Sequence, residues 1–158
     1  LVTLSSSFGS DRTANALLGE TGLSQEELFQ LVKDNQLTAF WAGPQEGANF
    51  SLTVTADKQV FVKYLPSGEG LSDTNPNYRI IATYPEPAAF DTTLAAGSQP
   101  NSLVFVNSDG AAVYLDKTRA NNVYVAYPDV PYSVEVFDPD ANTALSIASL
   151  PGNVKKIE

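Results

Sequence analysis

The sequence predicts an α+β fold: a mostly antiparallel β-sheet with helices packed on one face. Three observations carry this. Several short runs alternate apolar and polar residues, the period of a half-buried strand. Turn-forming residues join most of these runs closely, which favours antiparallel neighbours. Helical stripes with their own capping signals lie between or after them.

Residues 1–22 are rich in Ser, Gly and Thr and read as a flexible N-terminal segment or tether, with one short helix at Asp11 to Leu18. Residues 23–158 read as a single α+β domain. Ser24-Gln25-Glu26-Glu27 is a capping box, with Ser24 at the N-cap and Glu27 at N3, and Leu23 and Leu28 are placed for a hydrophobic staple. Leu28, Leu31 and Val32 give the apolar stripe of a helix ending near Asn35. A strand at Leu37 to Ala42 follows, broken by Gly43-Pro44.

The next hairpin is legible in detail. Phe50, Leu52 and Val54 alternate with polar residues, and Val60, Val62 and Tyr64 lie on alternate positions of the following run. A two-residue loop at Asp57-Lys58 sets Leu52 opposite Lys63. A three-residue loop, Ala56 to Lys58, pairs Val54 with Val60, Leu52 with Val62 and Phe50 with Tyr64, placing all six apolar residues on one face. It requires a left-handed Lys58, a strain of about 1 kcal/mol, less than the cost of misplacing a face.

After a polar loop at 66–77, Tyr78 to Tyr84 alternates again, and Pro85 opens a helix with Phe90 and Leu94 on one side and Gly97 as the stop. Leu103 to Asn107 and Ala111 to Asp116 form a hairpin about Asp109-Gly110, a type I′ signal. Asn122 to Tyr127 and Tyr132 to Phe137 are two further strands. Asp138 caps a helix with Pro139 at its first position, whose stripe is Ala141, Ala144, Leu145 and Ala148, and Pro151-Gly152 ends it. VFVKYLP (60–66) echoes VYVAYP (123–128), and Tyr78 to Pro85 parallels Tyr132 to Pro139. The chain therefore reads as candidate pseudo-duplicated halves, each hairpin, strand, helix.

Composition limits the chemistry. In 158 residues, nine basic and 18 acidic side chains give a net charge of −9, which disfavours nucleic acid and anionic membrane surfaces. There is no Cys, so no disulfide or thiolate, and no His, the usual neutral-pH base and the commonest metal ligand. No apolar run approaches the length of a membrane span. The chain starts at Leu1 and lacks Met, which reads as a fragment or a processed product, with any membrane attachment in a segment absent from this sequence.

Motifs are few. Asp138, Asp140 and Asn142 have the spacing of a calcium loop, but Thr143 and Ser149 stand where Gly and Glu are needed, and helix capping accounts for the aspartates. Asp73, Asn75 and Asn77 fail the same test and read as turn formers. Ser5 to Ser7 have no partner base, and S-G-E-G at 67–70 precedes no helix. No catalytic residue, metal site or cofactor is nominated. Trp41, Tyr64, Tyr84, Tyr124, Tyr127 and Tyr132 fall at or just after strand positions. They line a pocket, stack on a sugar, or simply pack as half-buried strand residues. Trp41, Tyr64, Tyr84 and Tyr127 are the candidate ligand or partner contacts.

FWAGP (40–44), FVKYLPSG (61–68), ATYP (82–85), VYVAYP (123–128) and YSVEVFDPD (132–140) resemble the core of uncharacterised exported, membrane-anchored actinobacterial proteins of unknown function. The resemblance covers residues 37–150 and its motifs are structural. It implies an extracytoplasmic location at the cell envelope and no assigned activity.

The reading is a non-enzymatic extracytoplasmic domain that binds a protein or cell-envelope component. A small-ligand-binding domain would need a preformed apolar cavity. A carboxylate-dependent glycan hydrolase would need two facing acids about 5 to 9.5 Å apart.

Overall fold

A computed structural model describes residues 13–15, 22–66 and 77–158. Ten strands and three α-helices are assigned among them. In chain order they are β1 (Thr13–Asn15), α1 (Gln25–Asp34), β2 (Phe40–Trp41), β3 (Ala48–Thr55), β4 (Val60–Pro66) and β5 (Ile80–Pro85), then α2 (Ala89–Ala95), β6 (Ser102–Val106), β7 (Ala112–Asp116), β8 (Asn122–Ala126), β9 (Tyr132–Phe137), α3 (Ala141–Ser149) and β10 (Lys155–Lys156). Eight strands form one sheet in the order β1-β3-β4-β5-β9-β8-β7-β6, antiparallel throughout, and β10 pairs with β2 in a small ribbon. The α+β class and the antiparallel sheet are those the sequence predicts.

Local signals set the elements. Ser24 Oγ accepts from Glu27 N–H (3.1 Å) and Glu27 Oε1 accepts from Ser24 N–H (3.0 Å), so the capping box is complete. Leu23 and Leu28 are fully buried. At the other end Gln36 turns left-handed (φ 54°). Leu37 N–H bonds Val32 O and Gln36 N–H bonds Lys33 O, a Schellman closure made without glycine. The β3–β4 register is Val54↔Val60, Leu52↔Val62, Phe50↔Tyr64, with Lys58 left-handed at φ 66°, as the alternation requires.

Four local expectations are corrected. Thr13–Asn15 are not helical; they pair antiparallel with β3 and occupy the backbone groups along its edge. The remainder of 11–18, with Ser5 to Ser7, S-G-E-G, Asp73 and Asn75, lies outside the described residues. Pro85 does not open a helix; it ends β5, opposite Tyr132, and α2 starts at Ala89. The β6–β7 hairpin is not type I′. Asn107 closes on Ala111 around the three-residue loop Ser108 to Gly110, with Gly110 at φ 82°, because only that loop keeps Phe105 and Val113 on one face. The N-cap of α3 is Asp140, whose Oδ1 accepts from Thr143 N–H (3.0 Å). Asp138 is instead buried and ion-paired to Arg79 (2.8 Å).

The pair Ala82↔Glu135 marks a pseudo-twofold axis through the sheet. Rotation about it carries Phe50, Leu52 and Val54 onto Ala111, Val113 and Leu115. The same rotation takes Val60, Val62 and Tyr64 onto Val123, Val125 and Tyr127, and Ile81 and Thr83 onto Val134 and Val136. The VFVKY and VYVAY echo is this correspondence. The Tyr78/Tyr132 alignment is one residue out of step, and a one-residue slip would exchange the faces. All of these residues point to one side, where α1, α3 and the β2–β10 ribbon close a single core.

The expectation that the helices pack on one face of the sheet is corrected: only α1 and α3 share that core face. Helix α2 lies over the opposite, outer face of β7, β8 and β9, where Thr92, Thr93 and Ala96 border a cleft with Tyr114, Tyr124 and Ser133. The reason is space. The core side of β5 is taken by β2, anchored by Phe40 N–H donating to Thr83 Oγ1 (2.9 Å).

Candidate functional site

The outer face gathers polar and aromatic groups that are scattered in sequence. Phe61 on β4, Tyr84 on β5, Glu135 on β9, Asn122 and Tyr124 on β8 and Tyr114 on β7 alternate with core residues and so project from the other side. Glu135 is the hub. Tyr84 Oη donates to its Oε1 (2.6 Å), while Asn122 Nδ2 (2.6 Å) and Tyr124 Oη (3.2 Å) donate to its Oε2. Tyr114 lies tilted beside Tyr124 (ring centroids 5.9 Å apart), and Phe61 meets Tyr84 edge-on at 5.9 Å.

The electrostatics follow from this arrangement. Partial burial and the hydrogen bond to Glu135 push the Tyr84 phenol well above its ordinary range, and burial with the Glu135 charge raises Tyr124 to about 12. Both phenols therefore stay protonated as donors. Among the described residues no Lys or Arg forms a salt bridge with Glu135; its hydrogen-bond partners are all neutral. Two clefts flank the hub. One, about 340 Å³, runs between α2 and the sheet past Tyr84, Tyr114 and Tyr124. The other, about 330 Å³, is lined by Phe61, Ile80, Asn122, Glu135 and Phe137.

The four aromatic candidates do not form one site. Trp41 is 5% exposed and packs edge-on against Phe29 and Phe50 at 5.0 and 5.8 Å, so it belongs to the core. Tyr64 is 3% exposed; its hydroxyl donates to Gly43 O (2.7 Å) and accepts from Ala42 N–H (2.9 Å), and burial raises its pKa to about 12. Tyr127 stacks on Phe40 (6.1 Å, 15°) beside a separate cavity of about 500 Å³ bounded by Val130, Tyr132 and Val154. Only Tyr84 reaches the Glu135 cluster. Glu135, Asn122 and Tyr114 escape a motif search; the one available signal is a charged residue inside the apolar run YSVEVF.

Asp138 and Asp140 do not converge on a common point. Asp138 serves Arg79 and the Asp140 N–H, and Asp140 caps α3. No cluster of three metal-ligating side chains occurs among the described residues, and none of their helices is long and apolar enough to cross a membrane. No protein-family model, curated protein or solved structure matches the chain.

Proposed function

We propose that this chain is a non-enzymatic extracytoplasmic domain that binds a protein or cell-envelope component through the outer sheet face centred on Glu135. The observation that carries the reading is a half-buried carboxylate held by neutral donors and bordered by tyrosine rings, with no cation paired to it among the described residues. Such a group suits a positively charged ligand moiety: the carboxylate supplies the charge and the ring faces supply cation–π attraction. A basic side chain of a partner protein, or an amino group of an envelope polymer, has this chemistry. Phenols and an amide surround Glu135 in place of a second acid, which favours binding over carboxylate-dependent hydrolysis. The envelope location rests on the resemblance stated above.

The test is titration of the chain with a short Lys- and Arg-containing peptide, followed by amide chemical shifts. Binding should centre on β5, β8 and β9, weaken with salt, and be lost in Glu135→Gln. Equal binding by wild type and Glu135→Gln would refute the assignment. The cavity beside Phe40 and Tyr127 favours a second reading, a small apolar ligand, because its volume of about 500 Å³ falls in the range of ligand pockets.

A further inference from the structure

The cleft of about 330 Å³ beside Glu135 is built by the outer-face register of β4, β5, β9 and β8. Phe61 pairs with Ala82 and Ala82 with Glu135, so the smallest of these three side chains lies between a ring and a carboxylate. Neighbouring strands are about 4.8 Å apart, which sets Phe61 and Glu135 about 10 Å apart at the backbone. In the next row of the same face Ile80 pairs with Phe137, and Phe137 with Asn122. Phe61, Ile80, Ala82 and Phe137 give the cleft apolar walls, and Glu135 and Asn122 are its two polar side chains.

Hydrogen-bonding capacity in the cleft is largely taken up. A carboxylate has about four acceptor sites. Three donors, Tyr84 Oη, Asn122 Nδ2 and Tyr124 Oη, already bond Glu135. A primary ammonium brings three N–H groups and a guanidinium five. The cleft side chains can receive few of them, at the remaining Glu135 site and the Asn122 side-chain carbonyl, and each N–H left unmet carries a desolvation cost. The charge is not used up in the same way. All three donors are neutral, and no salt bridge reaches Glu135 among the described residues. Lys63, opposite Ile80 on this face, sets its Nζ over the Tyr78 ring (5.4 Å).

We propose that this cleft, as part of the Glu135 cation site proposed above and resting on that reading, takes a quaternary ammonium group of the choline type. Such a group carries a full positive charge and no N–H, so it requires no acceptor. Its methyl groups suit the apolar walls, and the rings of Phe61 and Phe137 supply cation–π attraction, which strengthens when the cation is desolvated. The excess of 18 acidic over nine basic residues raises the local concentration of any cation. A free small molecule and a lipid headgroup present the same quaternary chemistry.

The test is titration of the full chain with choline and with ethanolamine, followed by amide chemical shifts. The two share a skeleton and differ only in the N-methyl groups. Choline should shift amides of β4, β5, β8 and β9 around the cleft and bind about tenfold more tightly than ethanolamine. Glu135→Gln should abolish choline binding. Phe61→Leu keeps apolar bulk and removes the ring; it should weaken choline binding severalfold while the circular dichroism stays that of wild type. Choline that binds wild type no more tightly than ethanolamine, or shifts amides elsewhere, overturns the inference without any variant. So does choline binding that survives Glu135→Gln unchanged. If the Lys- and Arg-containing peptide still binds at Glu135 in either case, the broader cation site stands and only the quaternary assignment falls; if neither peptide nor choline binds, both fall. Co-sedimentation with phosphatidylcholine vesicles, competed by choline, assigns the group to a headgroup; choline binding without co-sedimentation assigns the free molecule.

Discussion

Tyr84 donates its phenolic hydrogen to Glu135 at 2.6 Å, diagonally across the β5–β9 pair that joins the two halves of the sheet. A hydrogen bond to a charged acceptor is worth about 1.5 to 3 kcal/mol when well shielded. The site is half-buried, so a double-mutant cycle of Tyr84→Phe and Glu135→Gln should give a coupling near the lower end, about 1.5 kcal/mol, by urea unfolding. Additive single-mutant losses would show that the contact does not hold the halves together.

Alkali should destabilise the fold before the folded tyrosines ionise. Burial raises Tyr64 and Tyr124 to about 12, and burial with the Glu135 hydrogen bond raises Tyr84 further. In the unfolded chain the same phenols lose their protons near pH 10. Above that pH the unfolded state binds fewer protons than the folded state, so stability is full below pH 10 and falls as pH rises toward 12. Urea midpoints should drop across that window in wild type and drop less in Tyr64→Phe. Absorbance at 295 nm should show a late-titrating group of tyrosines.

Lys58 sits at φ 66° in the three-residue β3–β4 loop. Glycine there relieves a left-handed strain of about 1 kcal/mol but adds freedom to the unfolded chain. Lys58→Gly should therefore stabilise by about 0.5 kcal/mol, and Lys58→Val should destabilise by more than 1 kcal/mol. Denaturant midpoints with unchanged slopes would decide this.

Trp41→Ala should cost about 3 to 5 kcal/mol, because the ring lies between Phe29 and Phe50 in the core. A melting temperature near that of wild type would contradict its placement.

Arg79 and Asp138 pair at 2.8 Å with side chains 20% and 9% exposed, tying the start of β5 to the turn before α3. Asp138→Ala strands a half-buried guanidinium and removes the acceptor of the Asp140 N–H. It should cost about 3 kcal/mol, and Arg79→Met, which leaves the more buried Asp138 carboxylate without its cation, should cost at least as much. Thermal unfolding of the two variants gives the comparison.

The sequence by itself determined many of the features that depend on neighbours in the chain, but not the loop of the β6–β7 hairpin, the start of α2 or the N-cap of α3. The period-two runs assigned faces to the strands, parity required the Lys58 loop and its register, and Ser24 with Glu27 placed the start of α1. Repeated strand patterns also exposed the likeness of the two halves, though the Tyr78/Tyr132 alignment slipped by one residue. Tertiary structure alone decided that β5 lies against β9, which is why Glu135, Tyr84, Tyr124 and Asn122 meet. It also decided that β2 takes the core side of β5 and leaves α2 the outer face. The physical reason is range. Turns, caps and alternation act over a few residues, whereas strand order and helix placement depend on which packed arrangement buries the whole core. The hub of the candidate site exists only once that choice is made.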